Sequence, residues 1–143
     1  MLTRYPDWQS RLERFISAHR ADTFAYGRWD CCLFVCSAIE AMTGTDIAAR
    51  FRGKYTSRRG AMAAVREVTG RASVRSVAED AAMQFEMPTI PVRQAKRGDM
   101  ALIQRGGGPS LGLVSLNGRD VLVVGEGGLV AVPISLALGA WGV

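Results

Sequence analysis

Cysteine is scarce in this chain of 143 residues, and the three that occur lie within six residues, at positions 31, 32 and 36. An odd number of closely spaced cysteines does not make a disulfide framework. Cys32 and Cys36 lie four residues apart, and a helix holds such a pair in poor geometry for a bridge. We therefore expect reduced thiols, as in a cytoplasmic protein.

Long apolar runs are also missing. No stretch approaches the roughly 20 apolar residues needed to cross a bilayer, and the first seven residues contain no apolar signal region. We expect a protein without a membrane span that is made in a bacterial-type cytoplasm. Its length and its 48% of hydrophobic residues suffice for one domain, residues 1–143, with its own core.

Acidic residues are scarce between residues 50 and 75, where Glu67 alone accompanies eight lysines and arginines. Such a stretch can be a solvated face of arginine-rich helices, or it can contact nucleic acid, acidic glycans or an acidic partner subunit. No nucleic-acid-recognition motif accompanies it, so we do not expect nucleic acid as the partner. The candidate partner-binding residues are Arg50, Arg52, Lys54, Arg58 and Arg59.

All three cysteines lie on one predicted helix, which starts after Asp30 and ends before Gly44. Aspartate is a favoured N-cap, and glycine is the usual residue just beyond a helix C-terminus. Cys31 is then the first helical residue. Unpaired backbone N–H groups and the positive end of the helix dipole favour a thiolate there, so Cys31 is the candidate nucleophile.

The pattern of apolar residues changes half-way along the chain. Helical spacing predicts helices over residues 7–20, 31–43, 57–69 and 76–84, after which Pro88 and Pro91 interrupt it. Four short apolar runs follow, two of them separated by Asn117-Gly118, a strong hairpin signal. We predict an α+β fold, with N-terminal helices packed on a C-terminal antiparallel sheet of about four strands.

A metal site is the other chemistry that clustered cysteines suggest. Cys31, Cys32 and Cys36 could supply three thiolates and His19, the only histidine, a fourth ligand. Their spacing matches none of the usual zinc or iron–sulfur patterns. Buried cysteine behaves as a small apolar residue, which is the role we predict for Cys32 and Cys36. We expect no metal and no cofactor.

The order of several short motifs resembles the NlpC-type papain-like cysteine peptidases, and more narrowly the small NlpC-like proteins found among phage and prophage tail genes. The resemblance covers nearly the whole chain. It rests on Gly27-x-Trp29-Asp30-Cys31, Gly44-x-Asp46, Arg52-Gly53-x-Tyr55, Gly98-Asp99, Leu111-Gly112-Leu113-Val114 and Ala140-Trp141-x-Val143. It implies a papain-like fold, and either cell-wall peptidase activity or a place in a phage tail.

The resemblance also implies a role for each position of the catalytic site. Cys31 matches the nucleophile, but Ser110 stands where the family has its histidine, two residues before Gly112. The third polar residue would fall among residues 122–124, which are all apolar here. A serine hydroxyl cannot accept a thiol proton as an imidazole does, so the site is degenerate on this pattern. His19 is an alternative base only if the fold brings it to Cys31.

Three functional hypotheses follow. The first is a structural or assembly component of a phage or prophage tail near its tip, which contacts hub, distal tail or fibre subunits and moves from the host cytoplasm into the virion. The second is an active cysteine peptidase or amidase that acts on peptidoglycan peptides. The third is a basic intracellular interaction module.

Overall fold

Four helices precede a six-stranded sheet in the computed structural model, which describes residues 1–143. The helices are α1 (Trp8–His19), α2 (Cys31–Thr43), α3 (Arg58–Thr69) and α4 (Val74–Gln84). The strands are β1 (Thr89–Ile90), β2 (Met100–Arg105), β3 (Gly108–Val114), β4 (Asp120–Gly125), β5 (Gly128–Pro133) and β6 (Ala137–Trp141). The predicted α+β arrangement of helices followed by an antiparallel sheet is confirmed.

The predicted number of about four strands is wrong. The sheet has the order β1-β6-β2-β3-β4-β5, and all its pairs are antiparallel. The two strands that the sequence did not indicate are β1, with only two residues, and β6, whose Ala-Leu-Gly-Ala-Trp pattern is weak. Pairing of β6 with β2 forms this edge, with a register shift between Leu102 and Ile103.

Helix α2 is the central element of the core. Asp30 caps its start and Gly44 ends it in the left-handed conformation at φ 79°, donating its N–H to the carbonyl oxygen of Glu40. The helix packs against α1 on one side and β3 on the other. Its fully buried side chains include Leu33, Phe34, Val35, Ile39 and Met42.

The two faces of the sheet bury different sets of side chains. Leu102, Leu111 and Leu113 belong to the main core with the helices. The opposite face carries a small separate apolar cluster, formed by Ala101, Ile103, Val114, Val121 and Val123. Partly buried residues in and beside the 3₁₀ turn Ile134–Leu136 pack against it. The helices therefore cover one face of the sheet, and the cleft described below lies on that side.

Asp99 joins the two ends of the chain. Its carboxylate accepts hydrogen bonds from the Arg4 guanidinium and from the backbone N–H of Val143, both at 3.1 Å. Arg4 also donates to the carbonyl oxygen of Val143 at 3.1 Å. Asp99 is buried, so the Gly98-Asp99 motif serves packing of the termini in this fold. None of the four helices combines the length and the apolar character needed to span a membrane.

Candidate active-site cleft

Cys31 lies at the start of α2, as the sequence predicts. The Asp30 carboxylate accepts from the N–H of Leu33 at 2.9 Å, and the Asp30 carbonyl accepts from the N–H of Phe34. The N–H groups of Cys31 and Cys32 precede these and have no carbonyl of their own helix to donate to. Two amide donors are therefore left beside the Cys31 thiol.

A cleft of about 720 Å³ opens at Cys31. Its walls come from the start of α2, from α3 and α4, and from the ends of β3 and β4. The residues that line it include Cys31, Cys32, Tyr55, Met62, Val65, Val77, Ser110 and Val124. Cavities of about 300 to 1,000 Å³ hold drug-sized ligands, so this one can admit a substrate or a segment of a partner.

Three groups act on the Cys31 thiol to favour its ionised form. The pKa of Cys31 is lowered to about 7, chiefly because Cys32 donates a hydrogen bond to its sulfur, with further help from the backbone N–H of Leu111 and the Ser110 hydroxyl. Burial and the Asp30 charge oppose this lowering of the pKa. A substantial fraction of Cys31 is therefore thiolate at neutral pH.

The other two cysteines stay protonated. The sulfur atoms of Cys31 and Cys32 are 3.8 Å apart. The pKa of Cys32 is raised well above its usual range, first by its hydrogen bond to Cys31 and then by burial. Burial raises the pKa of Cys36 to about 12. The negative charge is thus confined to Cys31, the residue that the sequence singles out.

No imidazole lines the cleft. His19 lies in a separate recess, where its ring is 4.8 Å from that of Phe15 and 4.9 Å from that of Trp29. Its Nδ1 is 2.7 Å from the Asp22 carboxylate. The structure therefore does not bring His19 to Cys31 as an alternative base.

Comparison with known proteins identifies the family. The family model described as "Domain of unknown function (DUF6950)" matches residues 3–143. The chain belongs to this family. No curated protein matches it.

In this DUF6950 domain, the structure brings Ser110 to the cleft beside Cys31, as the resemblance implies. Ser110 lies on β3 and is buried, and the hydrogen bond from its hydroxyl to the carbonyl oxygen of Leu111 is long, at 3.5 Å. Val124 occupies the next strand in the same wall. Of the nearby acids, Glu126 lines the cleft, whereas Asp99 binds the chain termini.

Tyr55 is the site residue whose role the sequence did not reveal. Its hydroxyl donates to Asp30 Oδ2 at 2.6 Å, and the Gly27 N–H donates to the same oxygen at 3.1 Å. Burial and the neighbouring Asp30 carboxylate raise the pKa of Tyr55, which therefore stays a donor. The Arg52-Gly53-x-Tyr55 motif was the available signal, but its contact with Asp30 spans 25 residues.

The basic stretch of the DUF6950 domain is partly neutralised by carboxylates from other segments. Arg50 contacts Asp80 and Gln84 of α4, and Arg52 contacts Asp46. Arg50 and Arg52 therefore already form ion pairs within the chain, and partner binding by the five candidate residues stays a prediction. Of the five candidates, those outside such ion pairs are Lys54, Arg58 and Arg59, which are exposed, and Arg58 lines the cleft.

The three cysteines do not form a metal centre. No three His, Cys, Asp or Glu side chains are grouped so that they could hold a metal ion. Cys36 is buried in the core, in agreement with its predicted packing role, whereas Cys32 is only partly buried and lines the cleft. The vicinal pair Cys31–Cys32 is therefore a thiol of lowered pKa and its hydrogen-bond donor.

Alkylation of Cys31 by iodoacetamide should rise with pH and reach half its maximal rate at about pH 7, because only the thiolate reacts. Cys32→Ala removes the strongest donor to the sulfur, so its midpoint should move to higher pH. Peptide mass spectrometry after timed alkylation measures both. Cys36→Ala serves as the control and should leave the midpoint in place. A Cys31 midpoint equal to that of free cysteine would contradict the geometry.

Proposed function

We propose that this protein is a structural or assembly component of a bacteriophage or prophage tail, near its tip, built on an NlpC-like, papain-like scaffold whose cleft does not hydrolyse peptides. The observation that supports the absence of turnover is the pairing of Cys31 with Ser110 in a cleft without imidazole. The placement in a tail rests on the motif resemblance.

Amide hydrolysis needs more than a thiolate. The leaving amine must receive a proton, and a water molecule must then be deprotonated to release the acyl group. Histidine does both in papain-like sites because its pKa lies near neutral pH. Ser110 and Val124 can do neither, and Glu126 is an exposed carboxylate at the rim. The cleft therefore supports binding better than peptide cleavage.

The surface that we assign to tail partners lies beside the cleft. Lys54, Arg58 and Arg59 are exposed, and Arg58 lines the cleft together with Gly107, Gly108 and Pro109 at the turn into β3. Hub, distal tail or fibre subunits are the proposed partners, and peptidoglycan is a second proposed contact. The protein would assemble in the host cytoplasm and end in the virion tail.

Particle fractionation tests this proposal. Tail particles from the phage or prophage that encodes the chain should carry it through a density gradient, and Cys31→Ala should co-migrate in equal amount, because the thiol has no part in assembly. Purified wild-type protein should release no more soluble peptide from peptidoglycan than Cys31→Ala does. Absence of the protein from intact tails would overturn the structural assignment.

An active cysteine hydrolase is the second candidate. The observation that favours it is the lowered pKa of Cys31 in an open cleft, since a thiolate at neutral pH needs no base to attack a carbonyl. Release of peptidoglycan peptides by the wild-type protein but not by Cys31→Ala would establish this candidate in place of the first.

A further inference from the structure

The cleft contains what is needed to accept an acyl group but not what is needed to release it as an acid. Cys31 supplies the nucleophile, and the amides of Cys31 and Cys32 at the helix N-terminus are donors for an oxyanion that forms beside the sulfur. Deacylation by water requires a proton acceptor. The groups that act on the sulfur are Cys32, Leu111, Asp30 and Ser110. The Asp30 carboxylate, the one carboxylate among them, already accepts from the N–H groups of Leu33 and Gly27 and from the Tyr55 hydroxyl.

The missing imidazole also selects the acyl donor. An amide donor expels an amine, which must be protonated as it leaves, and the cleft has no group for this. A thioester donor expels a thiolate, which can leave without first being protonated because the pKa of a free thiol is only about 8.5, far below that of an amine losing a proton to give its anion. Attack by a thiolate on a thioester therefore needs neither an acid nor a base from the protein. This is the acyl transfer that a site with Cys31 and without histidine can perform.

The walls of the cleft indicate the chemistry of the acyl chain. Helices α3 and α4 face it with Ala61, Met62, Val65, Val74 and Val77. These side chains form an apolar part of the wall of the same cleft as Cys31. An extended hydrocarbon chain gains free energy by burial there with each CH₂ group, whereas a short acetyl group gains much less.

Two guanidinium groups line the same cleft. Arg58 is exposed and forms no salt bridge, and Arg105 donates to the carbonyl oxygen of Val124 at 3.3 Å without a carboxylate partner. Glu126 is the one exposed carboxylate among the lining residues, because Asp30 is buried and hydrogen-bonded. Cations that line the same cleft as a reactive thiol favour a donor whose carrier bears phosphate.

We infer that Cys31 is an S-acylation site, which takes a medium or long apolar acyl chain from an acyl thioester on a phosphate-bearing carrier and retains it. The Cys31 thiolate attacks the carbonyl carbon and forms a new S–C bond. The bond between that carbon and the carrier sulfur breaks, and the carrier leaves as a thiolate with the electron pair and takes a proton from water. No oxidant or reductant takes part.

This inference goes beyond a structural role in a tail and does not depend on it. Acylation is measured on the purified protein, and assembly is measured on particles, so either can fail alone.

Octanoyl-coenzyme A tests the inference on the whole chain. Intact-mass spectrometry at pH 7.5 should show one octanoyl group per chain, peptide mapping should place it on Cys31, and hydroxylamine should remove it. The rate should be at least tenfold higher than with acetyl-coenzyme A. No adduct on Cys31, equal labelling of all three cysteines, or equal rates with the two donors would overturn the inference.

The carrier is tested with a donor that lacks phosphate, the octanoyl thioester of N-acetylcysteamine. Arg58→Ala should slow acylation by octanoyl-coenzyme A severalfold and leave the rate with the phosphate-free donor unchanged. Arg66→Ala, also on α3 and exposed but absent from the cleft lining, is the matched control and should change neither rate. Equal effects of Arg58→Ala on both donors would overturn the assignment of a phosphate-bearing carrier.

Retention of the acyl group is tested at Ser110. Ser110→His places an imidazole where the hydroxyl lies beside Cys31, so the octanoyl adduct should hydrolyse at least tenfold faster than in the wild type. Circular dichroism confirms that the variant is folded. Equal adduct lifetimes in a folded variant would contradict the explanation that the missing base preserves the thioester.

Discussion

Asp30→Ala should lower the free energy of unfolding by about 4 kcal/mol, because it leaves several buried donors without an acceptor. Asp30 is only 4% exposed. It accepts from the Tyr55 hydroxyl at 2.6 Å and from the N–H groups of Leu33 and Gly27 at 2.9 and 3.1 Å. Urea denaturation followed by circular dichroism measures the loss.

Two variants separate the buried network from ordinary helix capping. Ser57 caps α3 through the N–H of Gly60 in an exposed position, so Ser57→Ala should cost only about 1 kcal/mol. Asp30→Asn keeps one acceptor oxygen, so its loss of unfolding free energy should lie between those of Asp30→Ala and Ser57→Ala. Equal costs for Asp30→Ala and Ser57→Ala would mean that the contact with Tyr55 adds nothing to the cap.

Gly27→Ala should lower the free energy of unfolding by about 3 kcal/mol or more, which is enough to abolish folding. Gly27 has φ +80°, which disfavours any side chain, and a Cβ would overlap the carbonyl oxygen of Tyr55. That oxygen is backbone, and the Gly27 carbonyl also accepts from the N–H of Gly53 at 3.0 Å, so the two segments cannot move apart cheaply. Thermal unfolding and the yield of soluble protein measure the effect.

Gly53 provides the matched control for this substitution. It has φ +72°, similar to Gly27, but a Cβ there meets no atom within 4 Å. Gly53→Ala should therefore lower the free energy of unfolding by only about 1 kcal/mol, the cost of placing a side chain at positive φ. The difference between the two variants isolates the close approach of residues 27 and 55. If both lose the same stability, the segments are not packed as described.

Much of the fold was predictable because its signals are local. The limits of α2 follow from a capping aspartate and a terminating glycine, and both caps form as expected. Helix α4 begins at Val74, two residues earlier than the apolar spacing suggested, because Ser73 caps it. Strands β1 and β6 were missed since one is very short and the other is held by its partner β2.

The loop at Asn117-Gly118 shows how a correct turn signal can misplace strand ends. The sequence suggested that β3 and β4 approach these two residues closely. In the structure β3 ends at Val114 and β4 begins at Asp120. The Asn117 side-chain oxygen accepts from the N–H groups of Arg119 and Asp120. These two N–H groups are therefore not free to pair with a strand, and the sheet pairing stops short of the turn.

The candidate site was predictable only in part, because its geometry is long-range. The reactive position of Cys31 follows from its place at a helix start. Its meeting with Ser110 depends on the packing of α2 against β3, which the motif resemblance implied but spacing alone could not. The ion pair of Arg50 with Asp80 is likewise invisible to a count of charges along the chain.

The binding of Arg4, Asp99 and Val143 to one another has a topological consequence. Arg4, near the start of the chain, and Val143, its last residue, meet at one point, held by a buried carboxylate. A short peptide linker could join these ends, and new ends could be opened in a surface loop, without breaking the core. Circular permutants of this chain should therefore keep the packing of α2 against the sheet.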